Sequence, residues 1–543
     1  MQDADVLIVG AGPVGTALAL ELALHKVSFR IIDRDPVRSD KSRALVVQPR
    51  TLELLNRHGA AQGLISRGRI AHGAAFFVNR KLVTKLNLDD LGTTDTEFPL
   101  PLMISQVQTE HFLDECLAKY GIRVERPVVA KDIVQDDDAV TATLEMPGGN
   151  IETARFKYAV GCDGAHSVVR HKATNLTFEG AAYAQDFILC DAHIRDSCMP
   201  QDRFSACLGS GMVAFFPLGD GIVRVIASGN NMTADKGEPQ LEHFQKFLED
   251  FAPEGCGTLY DPVWMTRFHL HHRGVNNYRD RRLFVAGDAA HIHSPAGGQG
   301  MNTGIQDSIN LGWKLAAVLH GRAEEKLLES YNAERFPVGQ TLLKGSDKMF
   351  SLGTSTNPIF TRLRNFLLPH ILPWVTASPS RRLSMFQFLS EFGITYREES
   401  PIVGTARDFG GPVKGGDRLP DGKLKNAKGE ETSVQGLCVG APHHLLLFAG
   451  GEENTAATTE TLEDVRDKVQ ELVKSEVETH IMAATNPSSA TGEATTYTDV
   501  DATVHAQFGF TKSPGYVFVR PDGYVAHIGF LSNLGELLAF LKA

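Results

Sequence analysis

The sequence predicts a mixed α/β and α+β chain of several domains. Three observations carry that reading. A short apolar run, Val6-Leu7-Ile8-Val9, leads into Gly10-Ala-Gly12-Pro-Val-Gly15 and then a helical stretch. Between about residues 176 and 275 the pattern turns to strands, and helices dominate from 305 to about 395. After Tyr396 a Gly/Pro-rich segment, GGPVKGGDRLPDG, opens a further α/β module. At 543 residues the chain is too long for one ordinary core. The boundaries read as 1–175, 176–275, 276–395 and 396–543, with the third segment returning to the domain begun by the first.

Each element follows from its residues. Val6 to Val9 is apolar at every position, as a strand buried on both faces must be. Thr16 to His25 is rich in Ala and Leu and reads as helix, and Phe29-Arg30-Ile31-Ile32 is a second strand ending at Asp33. Together they make a βαβ opening. Residues 51–60 and 109–120 read as helices, 123–146 as a strand pair turning at Gln135 to Asp138, and 156–161 as a strand delivering the chain to GCDGAHSVVR. In the β block, DFILCDAHI, GMVAFFPL and IVRVIAS are separated by Gly, Asp and Asn turns, with a short helix at 241–251. The strand LFVA, 283–286, ends at Gly287-Asp288. A helix after Gly304 carries Ile305, Ile309, Gly312, Ala316 and Leu319 on one face. In the last module 444–448, 516–520 and 524–528 read as strands, and 460–474 and 533–542 as helices.

Bulk properties exclude several classes. A net charge of −11, with no local block of Lys and Arg, argues against a nucleic-acid binder. No stretch reaches eighteen uninterrupted apolar residues, so no membrane span is expected. Seven cysteines are scattered and form no CxxC, which fits a reducing compartment and gives no disulfide framework or zinc ribbon. The N-terminus runs into a strand rather than a signal peptide, so the expected location is cytoplasmic. His291-x-His293 and His269-x-His271-His272 lack the spacing of a familiar zinc site, and no metal is expected. No GxSxG elbow suggests a hydrolase.

The glycine motifs point to a dinucleotide. Gly10 permits a tight turn, Gly12 lets the backbone approach a pyrophosphate, and Gly15 allows close helix–strand packing. Free N–H groups of the first helical turn face the phosphates, and Asp33 is placed to accept from an adenosine ribose. No second GxGxxG occurs, so a nicotinamide cofactor would visit without a Rossmann domain of its own. In GDAAHIHSPAGGQGMNTG, Asp288 suits a polyol hydroxyl, and the bare glycine backbone suits a flat ring beside a positive helix terminus. In GCDGAHSVVR, the cations His166, Arg170 and nearby Lys172 suit either a phosphate or ordinary surface salt bridges. Met212 to Pro217 reads both as a core strand and as the floor of an aromatic pocket.

GAGPVG, GCDGAHSVVR and GDAAHIHSPAGGQGMN, in this order, resemble the three fingerprints of the single-component FAD-dependent aromatic hydroxylases, the para-hydroxybenzoate hydroxylase class. That resemblance covers residues 1 to about 395. The stretch YVFVRPDGYVAHIG, 516–529, resembles the thioredoxin-like C-terminal domain of the phenol and polyketide hydroxylase branch. The resemblance implies a Rossmann-type FAD-binding domain, an interleaved β-sheet substrate domain and a thioredoxin-like tail. It implies FAD, NAD(P)H with NADPH favoured, and O2 as co-substrate. The implied activity is hydroxylation of a small phenolic or polyketide-type aromatic through a flavin C4a-hydroperoxide. Epoxidation, oxidative dearomatisation and Baeyer–Villiger insertion share its first steps. An idle FAD-binding assembly protein is the reading from another class.

Roles follow residue by residue. Gly10, Gly12, Gly15 and Asp33, with Arg34 beside it, match the adenosine diphosphate site. Arg43 and Gln106 match polar FAD contacts, and Asp163 matches a motif serving both FAD and NAD(P)H. His166 matches a pyridine nucleotide position and Asp288 the ribityl contact. Pro295, Gly297, Gly298, Gly300, Met301 and Asn302 match the wall beside the isoalloxazine, with Pro295 and Gly298 bordering the hydroperoxide pocket. Two departures stand out. Residues 44–50, ALVVQPR, lack the acid that phenol hydroxylase carries there, so the general base is unassigned. The tail lacks CxxC, which rules out dithiol exchange by the usual route and suggests a structural role or a subunit contact such as that of a homodimer.

Overall fold

In the computed structural model, residues 4–40, 44–229, 237–355, 357–451, 456–473, 477–483 and 495–542 are described. A five-stranded sheet in the order Arg279–Asp280, Leu283–Val285, Tyr158–Gly161, Val6–Val9, Phe29–Ile32 forms the centre of the first domain. The last four strands are parallel, and Arg279–Asp280 is an antiparallel edge. Val6–Val9, Tyr158–Gly161 and Leu283–Val285 are buried throughout, which is why each is a continuous apolar run. Their register aligns one end of the sheet. Val9 lies opposite Ile32 on one side and Gly161 on the other, and Gly161 lies opposite Val285. The loops beginning at Gly10, Asp33, Cys162 and Ala286 therefore leave side by side.

Helix Pro13–Leu24 follows the first of these loops and packs on helix Gly300–Leu319, where Ser308 donates to Val14 O at 2.8 Å. The second helix begins at Gly300, five residues before the start expected after Gly304. Its early glycines disfavour helix by propensity, but tertiary packing outweighs that. Gly304 is a packing position: a Cβ there would stand 2.6 Å from the Val14 side chain and 3.0 Å from Gly287 Cα.

The second large sheet has eight strands, ordered His291–Ile292, Thr258–Val275, Phe178–Arg195, Ile222–Ser228, Met212–Gly219, Phe204–Leu208, Gly73–Val78, Lys81–Asn87. It is wider than the 176–275 block, because Gly73–Val78 pairs in parallel with Phe204–Leu208 and brings Lys81–Asn87 with it. Strand alternation gives the sheet two apolar faces. Val213, Phe215, Val225 and Cys190 pack with Phe244 and Leu248 of helix Leu241–Phe251. Phe187, Leu189, Ile226, Phe216 and Phe268 pack on the other side with Phe350 of helix Glu329–Thr354. The single strand read at 156–161 is two. Ile151–Phe156 joins a three-stranded antiparallel sheet with Val140–Glu145 and Val129–Gln135, and Tyr158–Gly161 enters the parallel sheet.

The C-terminal sheet runs Gly404–Thr405, Val525–Phe530, Gly515–Val519, His443–Phe448, Val477–Ala483, Thr495–Thr498, Lys423–Lys425, Glu431–Ser433. Helices Ala456–Leu472, Thr503–Phe508 and Leu534–Phe540 accompany it. Cys198 and Cys256 form a disulfide, contrary to the expectation from scattered thiols. They are 58 residues apart in sequence, and only the fold brings them together. Among the described residues no helix is long and apolar enough to cross a membrane.

Candidate functional site

The four loops at the aligned strand ends hold most of the residues expected from sequence. Gly10 adopts φ +97°, and a Cβ on it would stand 2.5 Å from Cys162 O and 2.8 Å from Asp163 Cα. The first and third loops thus touch through bare backbone. A Cβ on Gly15 would stand 1.9 Å from Gly10 O, so the helix packs directly on the turn. Gly12 differs: a Cβ there would meet nothing within 4 Å. Asp33 Oδ2 accepts from the Ala11 N–H at 2.8 Å, and Arg126 reaches Asp33 Oδ1 at 3.2 Å. Arg38, which sequence reading passed over, donates to Ala11 O at 2.8 Å and pairs with Glu110 and Asp114. Arg34 is exposed and Arg43 lies outside the described residues. Gln106 Oε1 accepts from the Ala44 N–H at 3.0 Å.

Asp163 accepts from the Val168 N–H at 2.6 Å through Oδ2, while its buried Oδ1 has no partner. Burial pushes this carboxyl above the usual carboxylate range. The cations of that loop disperse instead of gathering. Arg170 is buried, donates to Ala289 O and Ala165 O, and lies over the Phe178 ring. Lys172 pairs with Asp132 at 2.6 Å, and His166 stands exposed.

Asp288 is exposed at the end of its strand, and the loop around it is tied down from below. Asp307 accepts from the Gly287 N–H at 3.1 Å, faces His291 Nε2 at 2.9 Å and accepts from Arg335 Nε at 2.7 Å. Burial alone would raise the Asp307 carboxyl, but Arg335 and His291 hold it below its usual range. Burial pushes His293 down to about 4, so that ring is neutral. Gly297 and Gly298 adopt φ +84° and +64°, conformations that favour glycine. Pro295, exposed, precedes them. Met301 packs against the first-domain core, and Asn302 is fully buried.

The acid-free segment 44–50 has a place here that its sequence did not reveal. Gln48 Nε2 donates to Gly297 O at 2.7 Å, and Asn302 Nδ2 donates to Gly298 O at 2.7 Å and Val46 O at 2.9 Å. The glycine loop is held from both sides.

The segment before this loop is linked to the aromatic side of the eight-stranded sheet through helix Glu329–Thr354, where Ser346 O accepts from Ser294 and the next residue, Asp347, accepts from Tyr183. Phe216 is stacked on Phe204, and one in-register row runs Phe216, Arg224, Asp191, Trp264. Arg224 is bidentate on Asp191 at 2.7 Å, Trp264 Nε1 donates to Asp191 at 2.8 Å, and Arg224 Nη1 has no partner. Tyr183 Oη donates to Asp347 Oδ1 at 2.8 Å beside Phe350. In the strand Met212–Gly219, Val213 and Phe215 are core while Phe216 lines this side.

Residues 3–346 match the family described as FAD binding domain. The chain belongs to that family. FAD is the family's cofactor, and the residues fit it: Gly12 leaves open space at a helix start, where first-turn amides have no intrahelical acceptor, and the orphaned Asp163 oxygen is buried beside the same turn. The chain is 38% identical over 375 residues to 6-methylpretetramide 4-monooxygenase of Streptomyces rimosus, a match spanning 68% of this chain and 64% of that one. It is 30% identical over 540 residues to pentachlorophenol 4-monooxygenase of Sphingobium chlorophenolicum, spanning 99% and 95%. Among solved structures, an anhydrotetracycline hydroxylase from Streptomyces rimosus has a TM-score of 0.73 at 27% identity, over 98% of this chain and 96% of that one. An aromatic hydroxylase from angucycline biosynthesis has a TM-score of 0.75 at 28% identity, over 100% and 99%.

Proposed function

We propose that the chain is an NAD(P)H-consuming monooxygenase that hydroxylates a phenolic or polyketide-type aromatic. The observation that carries this reading is an FAD binding domain whose left-handed glycine loop at Gly297 and Gly298 is linked, through Ser294 on Ser346 O and Tyr183 on Asp347, to an aromatic-lined sheet face. Hydride acceptance from NAD(P)H and activation of O2 are the chemistry FAD supplies when bound.

The chain's residues bind, shield and move protons. The backbone at Gly10, Gly12 and Gly15 would hold the pyrophosphate at the helix start. Asp33, braced by Arg126, would take the ribose, and Asp288 the ribityl chain. Gln48 and Asn302 hold Gly297 and Gly298, and these with Gly300 would lie beside the ring. Pro295 and Gly298 would border the reacting oxygen, with Phe187, Phe216 and Phe350 excluding water from the aromatic side. Arg224 Nη1 offers a donor to a substrate oxygen.

Tyr183 and Asp347 are the proton relay that the sequence left unassigned. Burial, then the Asp347 carboxylate, pushes the Tyr183 hydroxyl above its ordinary range, so it stays protonated and donates to Asp347. A phenolic proton taken up at Tyr183 Oη would pass on to Asp347, leaving a more nucleophilic ring carbon. The tail is read as thioredoxin-like. Its inner order Val525–Phe530, Gly515–Val519, His443–Phe448, Val477–Ala483, with one parallel and two antiparallel neighbours, supports that reading.

The test is direct. Purified protein should be yellow, and a screened phenol should accelerate NAD(P)H oxidation and yield a product one oxygen atom heavier. Bound FAD with no such acceleration across phenols and polyketide aromatics would reject the hydroxylase reading.

A further inference from the structure

The C-terminal module carries a cluster unrelated to the flavin site. His444 lies on the strand His443–Phe448, and Glu478 and His480 lie on its parallel neighbour Val477–Ala483. His444 is in register with Glu478, and Leu446 with His480, so the three side chains leave the same face. His444 Nδ1 stands 3.3 Å from His480 Nε2 and 3.8 Å from Glu478 Oε2. The rings are stacked with centroids 5.6 Å apart.

These distances have a simple meaning in coordination chemistry. Two ligands about 2.0–2.1 Å from a tetrahedral Zn2+ stand roughly 3.3–3.4 Å from each other. The two imidazole nitrogens already stand at that separation. All three ligand atoms lie within 4.8 Å of one another, and Glu478, which is exposed, needs only a side-chain rotation to close the gap. His444 and His480 are buried, so the cluster has a dry floor and a wet rim through which an ion can enter. Two nitrogens and a carboxylate suit Zn2+ and leave one position for water. The opposing charge nearby is that of Arg57, which is met by Glu21 at 3.7 Å and donates to Gly440 O.

We propose that His444, Glu478 and His480 form a site for a divalent transition cation of the Zn2+ type, clasping two central strands of the C-terminal sheet. Sequence spacing concealed it, because the ligands are split between strands 36 residues apart.

The experiment uses the full-length, FAD-loaded protein without an affinity tag, stripped with EDTA and titrated with Co2+. Tetrahedral Co2+ absorbs at wavelengths beyond the flavin bands. The expected result is saturable uptake of one equivalent, reversed by Zn2+. His480→Ala should abolish the band. Glu478→Gln, on the exposed rim, should weaken binding by more than the roughly 10- to 100-fold that loss of an outer-shell partner costs. Absence of a saturable band, or a band unchanged in Glu478→Gln, overturns the proposal and leaves the two rings as a hydrogen-bonded pair of imidazoles.

Discussion

Gln48 and Asn302 are 254 residues apart in sequence, yet the Gln48 backbone N–H donates to Asn302 Oδ1 at 2.8 Å. The same Asn302 serves Val46 O and Gly298 O. Asn302→Ala therefore leaves three backbone groups unpaired at a buried position. The expected cost is about 2–3 kcal/mol of stability, from buried groups deprived of partners. Urea unfolding measures it, and FAD retention should fall in parallel because the glycine loop loosens. A loss below about 0.5 kcal/mol would show that water or a rearranged Gln48 replaces the lost bonds.

Gly12 and Gly15, at the start of the first helix, should separate folding from cofactor binding. Gly12→Ala adds a methyl that touches nothing in the protein, at a φ of −74° that any residue accepts. Its stability without FAD should stay within about 0.5 kcal/mol of the parent, while FAD affinity falls sharply. Gly15→Ala drives a Cβ into Gly10 O and should destabilise the fold itself. Thermal melts with and without added FAD distinguish the two, and equal behaviour of both variants would contradict the assignment of Gly12 to the pyrophosphate.

Tyr183→Phe and Asp347→Asn test the proton relay. General acid–base contributions are typically about 100- to 10,000-fold, so either change should cut kcat by at least about 100-fold with a phenol of high pKa. A substrate ionised at the assay pH needs no relay and should rescue much of that loss. Equal defects with both substrates would reduce the pair to a packing role.

What the sequence disclosed and what it hid divide along a physical line. Gly10, Gly12 and Gly15 are legible because turn geometry, close approach and helix start are local demands on backbone. The strands Val6–Val9 and Tyr158–Gly161 are legible because burial on both faces writes itself as an apolar run. Pairings are not written that way. Tyr183 with Asp347, Gln48 with Gly297, Cys198 with Cys256, and the recruitment of Gly73–Val78 into the eight-stranded sheet all join distant segments. The helix start at Gly300 was hidden because local propensity opposed it, and tertiary contacts of Asn302 and Gly304 decided the matter.

Glu391 gives the fold a pH signature. It is buried, adopts φ +65°, and accepts from Thr303 and Gln306. Burial raises its carboxyl from 4.5 to about 8. The folded protein therefore holds a proton that the unfolded chain has lost between about pH 4.5 and 8, and over that window this group's contribution falls as pH rises. Glu391→Gln removes the titration. Its stability relative to the parent should improve as pH is raised from 5 to 8, measured by urea unfolding at each pH. Parallel curves for the two proteins would mean that Glu391 is ionised in the fold.

The seam between the tail and the first domain rests on Glu334. Arg520 is bidentate on it at 2.6 and 2.9 Å, and Lys314 donates to it at 2.8 Å, all fully buried. Burial alone would raise the Glu334 carboxyl; Arg520 and Lys314 overcome that and hold it well below the usual range. Breaking a buried pair costs about 3–5 kcal/mol because a charge is left uncompensated. The two partners should not be equal. Arg520→Ala leaves Glu334 with Lys314, Asn310 and Ser400, whereas Glu334→Ala strips Lys314 of its carboxylate. Burial already lowers Lys314 to about 8, and without Glu334 it should fold neutral at pH 7. The unfolded Lys314 still binds its proton, so the stability of Glu334→Ala should climb with pH from 6 to 9 more steeply than that of the parent. Arg520→Ala should show the smaller loss and no such slope, and the reverse ranking would place the anchor of the seam on Arg520 and Asp522 instead.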